Sequence, residues 1–343
     1  GEAGYTTAAG NDLEITNTED PAAIGPNGKI TVDGVLTVSS STNAIQSGDS
    51  KDNTVTILAN KVEIDAGYNG IYAALYTEDR EEYPSNVFIG SENRKIQSLT
   101  IDADGQGIKN ERAKVYIYGS NNSIFTIHTS LENIKVDENG NITETKNAAI
   151  VNDGFLGEVS LTGGSLNITT DRVERKVQTP NGHWITANVT GDGVYNSSGT
   201  TTLNFNNVTM NVTGSGINNK SGTVSLNTKG TNAIFARYVE ASADHGYGVY
   251  TSGTGTTNVI ASANYDPKIG NSTLKMQEGY DNRIYGKRGG IGGKANIIAD
   301  NNNYIAGTNA VYTASGTLNI VAGNNNFIGG NAFCGLAFTI IFF

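Results

Sequence analysis

Apolar and polar residues alternate in short runs along this chain. The runs "LEITN" (13–17), "KITVDGVLTVSS" (29–40), "NTVTILANKVEIDA" (53–66) and "SLTIDA" (98–103) have period two, as do "KVYIYG" (114–119), "EVSLTGGSLNITT" (158–170) and "TTLNFNNVTMNVTG" (201–214). Successive side chains of a strand point to opposite faces, so each run predicts a short strand with one buried side. The Gly, Asn, Asp and Ser residues that bound the runs predict turns. Spacings of three and four with strong helix formers are almost missing. "NAIFARYVEASAD" (232–244) comes nearest and reads better as a strand and a turn. The pattern predicts an all-β chain.

A second pattern overlies the first. A small residue followed by Ile or Val, often with an aromatic next, occurs in "NGIYA" (69–73), "QGIKN" (106–110), "NSIFT" (122–126), "NAAIV" (147–151) and "DGVYN" (192–196). It returns in "SGINN" (215–219), "NAIFA" (232–236), "YGVYT" (247–251), "NRIYG" (282–286) and "NAVYT" (309–313). From Val194 to Ile217, to Ile234 and to Val249 the steps are about 23, 17 and 15 residues. A unit that short buries nothing alone and gains a core only by stacking on its neighbours, which predicts a parallel β-helix. In that fold Ile71, Ile108, Val194, Ile217, Ile234, Val249 and Val311 form the inward ladder, one per coil. Alternation turns the neighbouring Tyr72, Phe125, Tyr195, Phe235, Tyr250, Tyr285 and Tyr312 outward. Gly and Asn at the corners are expected to take positive φ, and stacked Asn side chains to bond in a ladder. A β-sandwich explains poorly why Ser-Gly-Thr recurs in "YNSSGTTTLNF", "NNKSGTVSLNT", "YTSGTGTTNVI" and "YTASGTLNIVA".

Composition narrows the partners. The chain has 343 residues, 33 acidic and 23 basic side chains and a formal charge of −10. That balance disfavours an electrostatic grip on nucleic acid or anionic lipid. Glycine is abundant at 43 and proline scarce at 5, so turns are frequent without proline breaks. The recurring apolar alternation argues against a disordered chain. Cys334 is the sole cysteine, which excludes an intramolecular disulfide. No signal peptide and no apolar run of about 20 residues is visible, and the expectation is that the sequence begins after any export signal.

From about residue 11 to 330, with lines such as "NAVYTASGTLNIVAGNNNFIGG" (309–330), the chain resembles the passenger repeats of Gram-negative autotransporter and filamentous-haemagglutinin-like adhesins. The resemblance implies an exported, right-handed parallel β-helix held at the bacterial surface by a separate C-terminal outer-membrane barrel. It implies attachment or aggregation, with a host glycan or protein, another bacterial cell, or a second copy of the chain as partner. No heptad stalk of a trimeric adhesin is visible. The expected organisation is a cap or edge at 1–12, the helix at 13–330, and an atypical apolar tail at 331–343. Insertions are expected near 76–86, 171–185 and 264–290.

The same architecture carries polysaccharide lyases and hydrolases. An inverting hydrolase needs two carboxyl groups about 6.5–9.5 Å apart. The acidic residues here sit mostly in turns, and the Asn-Thr-Asp, Asp-Asp and Gly-His-Gly motifs of that hydrolase family are absent, "DHGYG" (244–248) being a faint echo. His128, His183 and His245 are too dispersed to argue a metal cluster. Arg172, Arg175 and Lys176 could serve a lyase but suit a protruding loop. No catalytic residue, metal ligand or cofactor is assigned. Calcium is the one cation considered, at "DADGQG" (102–107) and "DENGN" (137–141). The insertions hold the only Trp and several Arg beside Tyr, side chains that dominate interfaces. Tyr83, Arg172, Arg175, Trp184, Tyr280 and Arg283 are the binding candidates. The alternatives are an enzyme of polysaccharides and a structural spacer.

Overall fold

The computed structural model describes the chain apart from residues 1–4, 7–9, 20–21, 49, 52, 134–136, 138, 140–146, 239–245, 264–277, 313–315, 331–332, 335–339 and 342–343. Among the described residues the structure is all-β, without helix. One sheet of 31 strands contains every strand except those of two antiparallel hairpins. Its pairings are parallel throughout, which is consistent with a solenoid. The expected cap at 1–12 and tail at 331–343 fall largely outside the described residues.

The pairings resolve into three columns that the chain visits in turn. Thr54–Leu58 begins one circuit in the first column, Lys61–Ala66 lies in the second and Ile71–Ala74 in the third. The next circuit repeats the visit with Asn86–Ile89, Ile96–Ala103 and Ile108–Glu111, each parallel to its predecessor. Later circuits keep this order as far as Leu318–Ala322 and Asn325–Gly329. Three strands, Lys114–Thr129, Asn282–Gly293 and Asn302–Tyr312, run through a corner without a break and serve two columns each.

Register shows why the apolar phrase recurs. In the third column Ile71 pairs with Ile108, Ile108 with Ile150, Ile150 with Val194, Val194 with Ile217, Ile217 with Val249, Val249 with Ile291 and Ile291 with Val311. All are buried, forming one β-branched ladder along the interior. Ile234 stands elsewhere. It is buried in the second column between Met210 and Ile284, so the phrase marks two ladders rather than one. The expectation for "NSIFT" is reversed: Ile124 is 55% exposed and Phe125 fully buried, in register with Leu99 and Leu166. The bend at 119–123 joins two columns and resets the alternation, and Phe125 meets Phe205 edge-on at 5.4 Å.

The small residue of the phrase has a packing reason. Gly70, Gly107, Gly216 and Gly248 do not have positive φ, contrary to the expectation. A Cβ on Gly216 would collide with Ile234 Cγ2 and the Gly248 carbonyl, and on Gly107 with Ile127 Cγ2 and the Ala149 carbonyl. The corner is tight because the neighbouring coils approach it.

Buried polar residues are stacked too. Asn232, Asn282, Asn303 and Asn326 pass side-chain amide bonds from coil to coil at 2.9, 2.9 and 2.7 Å. In the third column Asn110 donates to Asn152 and Asn196 to Asn219, both at 2.9 Å, while the Thr201 hydroxyl links Asn152 to Asn196. The third-column amides also bond turn carbonyls, Asn110 that of Ala113, Asn152 that of Gly157 and Asn196 that of Gly199, so these side chains close turns.

Candidate functional site

Several connections between strands are long, and the two that form hairpins leave by different corners. The hairpin Tyr76–Glu78 with Glu81–Tyr83 interrupts the passage from third to first column. The longer hairpin Val173–Gln178 with Trp184–Val189 interrupts the passage from second to third. Residues 264–277 fall between Thr256–Ala261 of the first column and Asn282–Gly293, but lie outside the described residues.

The six sequence candidates are accordingly dispersed. Tyr83 packs on Tyr76 at 5.9 Å and lies under the Lys51 ammonium at 5.3 Å. Hydrogen bonds from Lys51 to Glu78 and then Tyr83 raise the lysine pKa. Arg172, Arg175 and Trp184 belong to the longer hairpin, where Trp184 is 67% exposed opposite Gln178 near the tip. Arg175 faces Ala187, its Nε buried without a hydrogen-bond partner. Tyr280 is half-buried and its carbonyl accepts from Asn301. Arg283 was expected in a loop but stands on a strand of the second column, in register with Ala233 and Tyr304.

Of the six, Arg172 alone joins a set that the structure draws together at the second-to-third corner. A cleft of about 300 Å³ opens there, walled by Ser130, Glu132, Asp171, Arg172, Arg237 and Tyr238 from separate turns of the same corner. Arg172 donates to Asn188 at 2.5 Å, pairs with Glu174 at 2.9 Å and lies 5.1 Å from the Tyr238 ring centre. Cation and ring are thus fixed against each other while both reach solvent.

Beside the cleft, His128 is held between coils. Its Nδ1 lies 2.7 Å from Asp102 Oδ1 and its Nε2 3.1 Å from Asp171 Oδ2. Burial opposes charge on the ring, but the hydrogen bonds and negative charges of the two aspartates outweigh it and raise the pKa above the ordinary histidine value. In the sequence this histidine stands far from both aspartates. The signal was the register itself, which sets His128 beside Asp102, and no spacing rule reports it. Asp104 of the same turn accepts from Ser130 at 2.8 Å, so the carboxylates of "DADGQG" face side chains. Among the described residues no three His, Cys, Asp or Glu side chains are placed to hold a metal ion.

A second groove of about 290 Å³ follows the first-to-second corner past Thr162, Asn204, Phe205, Asn206, Asn227 and Lys229. Compared with protein-family models, curated proteins and solved structures, the chain matches none.

Proposed function

We propose that this chain is the right-handed parallel β-helical passenger of a bacterial surface adhesin, non-catalytic, attaching its cell to a glycan or protein of another surface. Right-handedness follows from the strong preference of strand–crossover–strand connections in parallel sheets. One observation carries the functional reading. The third-column pairing of Ala148 with Asp192 and Ile150 with Val194 closes across the longer hairpin without a register shift, while Trp184 is held out at 67% exposure. The coils do not need the hairpin, so its exposed Trp and the Arg–Tyr cleft at its base are free to serve a partner. Display outside the cell, with a separate membrane barrel as anchor, belongs to the same proposal.

The test is binding of the purified chain to a glycan array and to extracellular-matrix proteins, with and without calcium, while glycan ligands are followed for cleavage. Saturable binding without products, lost in Trp184→Ala, is the expected result. Cleavage products would replace this reading with an enzyme of polysaccharides. Absence of both would leave a spacer.

A further inference from the structure

The outer side of the second column changes character along its length. Its early coils present Glu14, Glu63, Asp65 and Asp102, all exposed. Later coils present Phe235, Tyr285, Tyr304 and Phe327, between 36% and 47% exposed, together with Arg283 and Lys287. Register orders them: Arg283, Tyr304 and Phe327 follow one another in one row, and Phe235 and Tyr285 lie side by side in the next. Tyr304 and Phe327 stack at 4.9 Å with planes 7° apart, and the Arg283 guanidinium lies 5.7 Å from the Tyr304 ring centre. Asp281 holds Arg283 at 3.5 Å, but the Arg283 side chain is 57% exposed against 8% for Asp281. The carboxylate fixes the guanidinium from below and leaves its outer edge open.

These rings contribute little to the core, since their inward neighbours Ile284, Ile305 and Ile328 form the ladder. The rings stand face to face, so solvent meets their edges, which carry the positive end of the ring quadrupole; a row of such edges beside the exposed Arg283 and Lys287 fits a polymer with regular negative charges. We propose that this face binds an acidic polysaccharide, built of uronate or sulfated sugars. The sugars run along the exposed edges of Tyr304, Phe327 and Tyr285, and a carboxylate or sulfate accepts from the Arg283 fork. The buried Asp281 offsets part of the Arg283 charge from beneath, while the exposed carboxylates of the early coils are distant. Asp102 stands five pairings earlier in the column, roughly 24 Å at the usual strand spacing, or about three Debye lengths in physiological salt. The site lies on the sheet face rather than at the Trp184 corner, and it does not depend on the adhesin reading.

The whole chain is titrated with polygalacturonate and with dextran sulfate, against neutral dextran and duplex DNA. Binding to at least one acidic polysaccharide is expected, weakening from about 50 to 150 mM salt. Arg283→Ala and Tyr304→Ala are each expected to weaken it about tenfold, Arg283→Lys less, and Lys61→Ala, an exposed cation of an early coil, not at all. Circular dichroism and unfolding midpoints verify that each variant is folded, and Phe327→Ser repeats the test on another coil should one fail. The proposal is overturned by no binding to either acidic polymer, by equal binding of neutral dextran or DNA, or by affinity that the face substitutions leave unchanged.

Discussion

Gly216 illustrates how a single residue is constrained in this fold. Its backbone is of a kind any residue adopts, yet the space for a Cβ is already filled by Ile234 and the Gly248 carbonyl. Gly216→Ala should therefore overpack the corner and cost about 1–3 kcal/mol, read as a lower denaturant midpoint at unchanged slope. The recurrence of the small residue was legible in the sequence, but its cause was not, because the obstructing atoms belong to another coil. The same limit explains Ile124 and Phe125. Alternation is a local rule, and a strand that turns a corner changes phase where the local rule sees no interruption. Ile234 looked like the same ladder as Ile217, because both follow a small residue and only register separates the columns they occupy.

At the scale of elements, the longer hairpin is tied to the coils through His128, which bridges Asp102 on one strand to Asp171 at the hairpin's foot. The folded pKa is raised, so the clamp's contribution to stability is fully present below the unfolded value of about 6.5 and fades as pH climbs through the higher folded value. The difference in unfolding midpoint between the parent and His128→Ala should be largest at mildly acidic pH and shrink toward alkaline pH. A difference that grew with pH would contradict the clamp. The hairpin's place as an insertion was readable from its interrupted rhythm and its charges. Its clamp was not, and neither was the Tyr304–Phe327 stack, although "NNNYIAG" (301–307) and "NNNFIGG" (324–330) repeat one motif a coil apart.

For the whole molecule, each circuit contacts the circuits before and after it, so stability should behave as a sum over coils and their junctions. Thr200 pairs with Thr223 and Thr201 with Val224, so residues 200–222 constitute one complete circuit. Deleting that circuit brings Thr223 to the place of Thr200 with every column still in phase. The shortened chain should fold with an unchanged β-sheet dichroism signature, and deleting half a circuit should abolish it. The all-β class and the stacking of coils could be inferred from sequence because both follow from periodicity. The division into three columns required the pairings themselves. Because the two described hairpins leave by different corners, either can lengthen or shorten without steric consequence for the other. The molecule is in this sense a beam with independent fittings, and two partners seated at different edges would be gripped at once without competing.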